Sequence, residues 1–153
     1  MHSSYHAIPP CRRKYRFAYN KGEAPDLRLH RKDSFLMKTV LCYDRCSTCR
    51  KALKWLDEHS IAYKPRDIAG QNPSREELEA FYKASGLPLT RFFNTSGKKY
   101  RELNLKDQLK TMSEAEMLDL LASDGMLVKR PILSDGMLVL VGFKEADWSD
   151  ALL

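Results

Sequence analysis

The pair of cysteines in the segment Cys46-Ser47-Thr48-Cys49 constrains this chain more than any other feature. The apolar run Thr39-Val40-Leu41-Cys42-Tyr43 comes directly before it and predicts a buried strand. The residues from Cys49 to His59 predict a helix. Two cysteines three positions apart at a strand-to-helix junction are typical of a redox dithiol.

The two cysteines of the pair are predicted to have different roles. Cys46 would lie at the helix N-terminus, where unpaired backbone N–H groups and the helix dipole favour the thiolate. Cys49 would lie about one turn further on, close enough to attack a disulfide formed at Cys46. We therefore expect Cys46 to be the nucleophile and Cys49 the resolving thiol.

A metal site and a pair of inert thiols are the alternatives. Zinc would require a second pair of ligands. The other cysteines, Cys11 and Cys42, are not spaced as a pair, and His59 is the only histidine beyond residue 30. We expect no metal, and we expect Cys42 to be a small core residue because it alternates with apolar neighbours.

Length and composition limit the class of protein. A chain of 153 residues with 43% hydrophobic residues predicts one domain with a substantial core. Four cysteines without a dense framework argue against a disulfide-stapled secreted scaffold. The sequence holds no apolar stretch as long as a membrane span. We expect a cytoplasmic monomer with no membrane association.

The positive charge belongs mainly to the first 36 residues. They hold eight Lys/Arg and three Asp/Glu, whereas residues 37–153 hold 18 and 17. The near-neutral second part predicts no direct nucleic-acid binding. Residues 1–36 lack apolar periodicity and predict a disordered basic leader, or a start assigned upstream of Met37. The predicted domain is residues 37–153.

The remaining helices and strands can be predicted from local patterns, and their order indicates the fold. Capping boxes at Ser74/Glu77 and Ser113/Glu116 each predict the start of a helix. Further predictions are a strand over Ala62–Asp67, a strand over Met126–Leu133, a turn at Ser134-Asp135-Gly136, a strand over Met137–Val141 and a helix over Glu145–Leu153. The order predicts an α/β fold with a mixed four-stranded sheet and helices on both faces. With the dithiol after the first strand, this is a thioredoxin-like, glutaredoxin-type arrangement with a helical insertion.

Pro131 falls inside a predicted strand, where proline cannot donate to a central ladder. In thioredoxin-like folds a cis-proline begins the strand that faces the dithiol and leaves backbone polar groups free for substrate. We expect Pro131 to be this cis-proline; an ordinary edge-strand proline is the alternative.

Residues 37–148 resemble the arsenate reductase-like (ArsC/Spx) family. The matching segments are Cys46-Ser47-Thr48-Cys49-Arg50-Lys51-Ala52, Phe92-Phe93-Asn94-Thr95-Ser96-Gly97, Tyr100-Arg101-Glu102-Leu103, the run from Leu121 to Ile132, and Val141-Gly142-Phe143-Lys144. The resemblance implies the thioredoxin-like fold and redox chemistry at Cys46.

The resemblance to glutaredoxin-linked arsenate reductases is incomplete at the oxyanion site. Cys46 matches their arsenate-attacking cysteine, and Arg130 matches one of their oxyanion-binding arginines. Two further arginines have no match, because Asn94 and the Gly142-Phe143 pair stand at those positions. Each missing cation removes charge-assisted hydrogen bonds of about 1.5–3 kcal/mol. The expected activity is therefore thiol–disulfide exchange rather than arsenate reduction.

The predicted site comprises Cys46 and Cys49, with Thr48, Arg130 and Pro131 at the substrate. Ser47 and Thr48 would offer donors to the nucleophile, and Arg130 would bind an anionic group such as a glutathione carboxylate. Arg50 could assist, although a solvated helix position explains it equally well. No resident cofactor is expected, and glutathione or a thioredoxin-type protein would recycle the dithiol.

The Spx branch of the family implies an alternative function. It shares the C-x-x-C and uses it as a redox switch on a regulator that binds RNA polymerase. In this alternative, the Cys46–Cys49 disulfide would alter a docking surface for the polymerase without turnover.

The predicted leader is expected to be dispensable. A segment without an apolar face cannot offset the backbone ordering entropy of about 1–2 kcal/mol per residue. A chain starting at Met37 should match the full chain in its free energy of unfolding by urea and in the rate of Cys46–Cys49 oxidation. A loss above about 1 kcal/mol would contradict the prediction, since surface changes rarely cost that much.

Overall fold

The computed structural model of the protein describes residues 37–153. The predicted leader and Cys11 lie outside the described residues. Within residues 37–153, no helix is long and apolar enough to cross a membrane.

Four strands and six helices follow one another in this range. The strands are β1 Lys38–Cys42, β2 Tyr63–Asp67, β3 Ile132–Ser134 and β4 Val139–Val141. The helices are α1 Ser47–Glu58, α2 Arg75–Ser85, α3 Lys98–Glu102, α4 Leu105–Gln108, α5 Glu114–Ser123 and α6 Glu145–Leu152, with short 3-10 turns at Leu89–Phe92 and Gly125–Leu127.

The strands form one mixed sheet in the order β2-β1-β3-β4. β1 is parallel to β2 and antiparallel to β3, and β3 is antiparallel to β4. The β1–β2 crossover through α1 is a βαβ unit, and α2 to α5 form the helical insertion before β3. The predicted thioredoxin-like fold with a mixed four-stranded sheet is confirmed.

The two faces of the sheet carry separate cores because strand side chains alternate. On one face Val40, Cys42 and Leu133 pack against α1 and against Trp148 of α6. On the other face Leu41 and Ile132 pack against the helical insertion. Helices therefore cover both faces, as predicted, and Cys42 is the fully buried core residue that the sequence indicated.

Local signals determine where the long helices begin. Ser74 caps α2 and Ser113 caps α5, and in both the glutamate three residues later completes the capping box. The two helices end in different ways. Gly86 ends α2 in the left-handed conformation, with φ +65°, whereas α5 ends at Asp124.

The segment before Pro131 differs from the predicted strand over Met126–Leu133. Residues Gly125–Leu127 form a 3-10 turn, Val128 makes a single bridge to Phe93, and the strand begins only at Ile132. The second strand of the hairpin also begins later than predicted, at Val139. β3 begins late because backbone hydrogen bonds of the segment before it go to the insertion, where the Lys129 N–H donates to the Phe92 carbonyl. β4 begins late because the residues before it bond within the hairpin turn, where the Leu138 N–H donates to the Asp135 carboxylate.

The close contact between Gly125 of the insertion and Ile68, the residue after β2, can be tested by substitution. A Cβ added to Gly125 would lie 1.8 Å from the carbonyl oxygen of Ile68, which is backbone and cannot rotate away. We expect Gly125→Ala to lower the free energy of unfolding by about 3 kcal/mol or more, the upper end of overpacking effects. Urea denaturation measures this.

Gly86→Ala is the matched control. No atom lies within 4 Å of its added Cβ, so only the left-handed φ of +65° opposes the substitution. Its expected cost is about 1–2 kcal/mol. Equal losses in the two variants would show that the Gly125 contact does not constrain the fold.

Candidate active site

Cys46 lies at the N-terminus of α1, directly before the first helical residue, Ser47. A turn after β1 places it there, since its backbone N–H donates to the Tyr43 carbonyl at 3.0 Å. Cys46 is half-buried, and Cys49 is only 1% exposed, within the core beneath α1. The cysteines of the predicted dithiol are thus unequal, since Cys46 is accessible to solvent and Cys49 is covered.

The surroundings of the two thiols shift their pKa values in opposite directions. Partial burial raises the pKa of Cys46, but the Cys49 backbone N–H, the Cys49 thiol and the Arg130 guanidinium together lower it below the ordinary thiol value. Burial raises the pKa of Cys49 well above that value; a backbone hydrogen bond at Tyr43 opposes this, and the charge of Cys46 adds to it. Of the two thiols, Cys46 is therefore the one that ionises more readily, and Cys49 the one that is held protonated.

Arg130 is held against the dithiol by contacts from two elements. Its guanidinium carbon lies 5.0 Å from the centroid of the Tyr43 ring. Its Nη1 donates to the Met126 carbonyl at 3.4 Å. Its Nε is buried and has no hydrogen-bond partner within residues 37–153. The side chain is thus oriented by Tyr43 and Met126 while retaining a free donor.

The peptide bond between Arg130 and Pro131 is cis, as the sequence predicted. Pro131 precedes the first residue of β3, and β3 lies beside β1 in the sheet. Its carbonyl accepts from the backbone N–H of Gly142 at 2.8 Å. The expectation that this backbone is free for substrate therefore does not hold for the Pro131 carbonyl.

A cleft of about 710 Å³ opens beside Cys46. Ser47, Thr48 and Arg130 line it, so three residues expected near the substrate share one cavity with the nucleophile. Arg50 does not line the cleft, and its guanidinium donates to the Asp44 carbonyl at 3.0 Å. This position supports the solvated-helix interpretation of Arg50.

The cleft is lined by more cations than the sequence indicated. They come from four separate parts of the chain and comprise Arg45, Arg91, Lys98, Lys129, Arg130 and Lys144, with Asp147 as the single carboxylate. Of these, the sequence predicts a role only for Arg130. The others were missed because nothing in the local sequence relates residue 91 to residue 129.

Backbone pairing explains how distant cations meet. Phe93 bridges to Val128, and the Lys129 N–H donates to the Phe92 carbonyl at 2.6 Å. These contacts place Arg91, in the 3-10 turn Leu89–Phe92, next to Lys129. Both side chains line a second cavity of about 140 Å³ as well as the cleft.

The two positions that lack arginine have structural explanations. The Asn94 Nδ2 donates to the Met126 carbonyl at 3.4 Å and lies against Gly97, where an added Cβ would be 2.8 Å away. Gly142 has φ +76°, a conformation that side chains rarely adopt. Asn94 therefore supports the Arg130-bearing segment, and the backbone at Gly142 disfavours any larger residue.

Within the described range, no three His, Cys, Asp or Glu side chains are placed to hold a metal ion together. The charged groups that line the cleft are mainly Lys and Arg side chains.

Comparison with known proteins is consistent with this site. The model of the ArsC family matches residues 41–151. The chain belongs to the ArsC family. The match includes both cysteines, Arg130 and every cation that lines the cleft.

Individual relatives span most of the described range. The uncharacterised protein YusI of Bacillus subtilis is 59% identical over 112 residues, which are 73% of this chain and 95% of YusI. A crystal structure of an ArsC family related protein from Bacteroides fragilis has 50% identity and a TM-score of 0.73, and covers 74% of this chain and 95% of that one. The global transcriptional regulator Spx of Listeria innocua is 29% identical over 109 residues, 71% of this chain and 82% of Spx.

The placement of Arg130 predicts a change in the pH profile of Cys46 alkylation. Only the thiolate reacts, so a lowered pKa makes Cys46 more reactive than an ordinary thiol at about pH 6. Arg130→Ala removes a positive charge that lowers the pKa of Cys46. We expect the profile to move to higher pH and alkylation at about pH 6 to slow several-fold. Mass spectrometry of iodoacetamide-treated reduced protein gives the rate and the modified residue.

Arg50→Ala is the matched control, since it removes a nearby guanidinium that lies outside the cleft. Its profile should stay close to that of the unmodified protein. An equal displacement in both variants would show a general charge effect, and labelling mainly at Cys49 would contradict the assignment of Cys46.

Proposed function

We propose that this protein is a thiol–disulfide oxidoreductase in which Cys46 is the nucleophile and Cys49 the resolving thiol. The main support is the difference between the two thiols. Cys46 is accessible and its pKa is lowered, whereas Cys49 is buried and its pKa is raised. A nucleophile must be ionised and reachable, whereas a resolving thiol should remain protonated until the first step is complete.

The first step transfers the substrate sulfur to Cys46. The Cys46 thiolate attacks one sulfur of a disulfide RS–SR′, a Cys46–SR bond forms, and the S–S bond of the substrate breaks. The R′S⁻ group leaves with the electron pair and takes a proton from solvent. Arg130 stabilises negative charge at the reacting sulfurs, since its guanidinium already favours the ionised form of Cys46.

The second step follows a change at Cys46. Burial is the main cause of the raised pKa of Cys49, and the negative charge of Cys46 adds to it; once Cys46 is in the mixed disulfide, that added contribution is gone. Cys49 then loses its proton and attacks the Cys46 sulfur, forming the Cys46–Cys49 disulfide and releasing RSH. Two electrons pass to the substrate, and two thiols of glutathione or one dithiol of a thioredoxin-type protein return them.

Several features favour disulfides over arsenate as the substrate. By the family resemblance, Asn94 and the Gly142-Phe143 pair stand where two arginines of arsenate reductases would be. Asn94 is engaged with Met126, and the left-handed φ of Gly142 disfavours an arginine. The cleft is also larger than a tetrahedral oxyanion requires, at about 710 Å³.

A redox-switched regulator is the second candidate. Its support is the relationship to proteins named as regulators, including Spx of Listeria innocua. In this function, formation of Cys46–Cys49 would change the surface around Cys46 for a protein partner such as RNA polymerase. Catalytic turnover of a disulfide by reduced protein and glutathione, without binding to the polymerase, would favour the oxidoreductase.

The two-step mechanism predicts that Cys49→Ser traps the intermediate. With no resolving thiol, Cys46 should remain in a mixed disulfide of one substrate half per protein, and turnover with a dithiol reductant should fall by about 10²-fold or more. Intact-mass spectrometry after addition of bis(2-hydroxyethyl) disulfide would detect the adduct.

Cys42→Ser is the matched control, because it removes another buried thiol near Cys49. It should form the Cys46–Cys49 disulfide and accumulate no adduct. Adduct on Cys49 in a Cys46→Ser variant, at the rate of the unmodified protein, would contradict the assigned roles.

A further inference from the structure

The cleft cations other than Arg130 are not explained by the chemistry at Cys46. Six Lys/Arg and one Asp line the cleft. The rest of residues 37–153 holds 12 Lys/Arg and 16 Asp/Glu, a net charge of −4 on a domain that is near neutral as a whole. The positive charge of the domain is therefore concentrated around the nucleophile.

These cations are also short of acidic partners within the described range. Only Lys98 has one, with its Nζ 3.4 Å from Glu102, whereas six of the 12 cations elsewhere form ion pairs. The neighbouring Lys99, which lies outside the cleft, is paired with Asp124. Arg91, Lys129 and Lys144 remain available to an external anion.

The positions of Arg91 and Lys129 extend the site beyond the dithiol. Both line the cleft and the adjoining cavity of about 140 Å³, to which Cys46 and Arg130 do not contribute. The Lys129 side chain passes over Gly142, where an added Cβ would be 3.4 Å from its Cε. A ligand whose sulfur is at Cys46 would therefore meet these two cations some distance from the sulfur.

We propose that Arg91 and Lys129 recognise acidic side chains that flank the cysteine of a protein disulfide, and so select the substrate of this site. The inference rests on the proposed oxidoreductase function. Glutathione carries two carboxylates and an ammonium group, which leaves most of the cleft cations unmatched. A chain segment with several Asp or Glu residues supplies carboxylates on either side of its sulfur, at the spacing of neighbouring residues.

The test compares two disulfide-linked peptides that differ only in charge. In one, four Glu residues flank the cysteine; in the other, Gln replaces each Glu. We expect reduced full-length protein to react with the Glu peptide roughly tenfold faster, as favourable charge contacts near a protein surface allow. The preference should shrink as salt is raised, because screening weakens exposed charge pairs.

The variant Arg91→Gln/Lys129→Gln should reduce the preference to within about twofold. Lys64→Gln/Lys106→Gln is the matched control, since it removes the same charge from exposed positions outside the cleft. The control should keep the preference of the unmodified protein. Equal and measurable rates for the two peptides, or a preference that survives Arg91→Gln/Lys129→Gln, would overturn the proposal.

Two further measurements separate this proposal from its alternatives. Fluorescence anisotropy of a labelled Glu peptide with Ser in place of Cys reports recognition without redox chemistry. Binding that weakens in Arg91→Gln/Lys129→Gln supports the proposal even if no disulfide is reduced, a result that would overturn the oxidoreductase function alone. If glutathione disulfide reacts as fast as the Glu peptide and is equally sensitive to the double variant, glutathione is the ligand and acidic protein disulfides are not selected.

Discussion

The antiparallel pairing of β1 with β3 is the contact on which the site depends. Leu41 lies opposite Ile132, so the residues after β1 and before β3 meet at the same edge of the sheet. Cys46 follows β1 by one turn, and Arg130 precedes β3 by two residues. The buried side chains that fix this register leave Arg130 beside Tyr43 and the dithiol.

The difference in burial and in pKa between the two thiols follows from this geometry and from the packing of α1. The apolar face that attaches α1 to the sheet also carries Cys49, so the same burial that stabilises the helix suppresses ionisation of that thiol. Cys46, at the helix start, escapes full burial and faces the cleft. One helix thus provides, within a single turn, an accessible thiol with a lowered pKa and a buried thiol with a raised pKa.

The cleft around the dithiol is positively charged, whereas the domain as a whole is near neutral. A concave site lined by unpaired cations concentrates the positive electric field, and this field attracts anions before they make contact. Because the rest of residues 37–153 has a net charge of −4, such attraction within the domain would be directed to the cleft. Asn94 and Gly142 contribute support and backbone shape to the site instead of charge.

The sequence by itself determined the local features. The apolar run of β1, the capping boxes at Ser74 and Ser113, and the cysteine spacing act between residues a few positions apart, so they can be recognised without a fold. The strand limits near Pro131 and the cluster of Arg91 with Lys129 were decided by tertiary structure. They depend on the pairing of Phe93 with Val128 across the insertion, and no local pattern encodes a contact between segments so far apart in the chain.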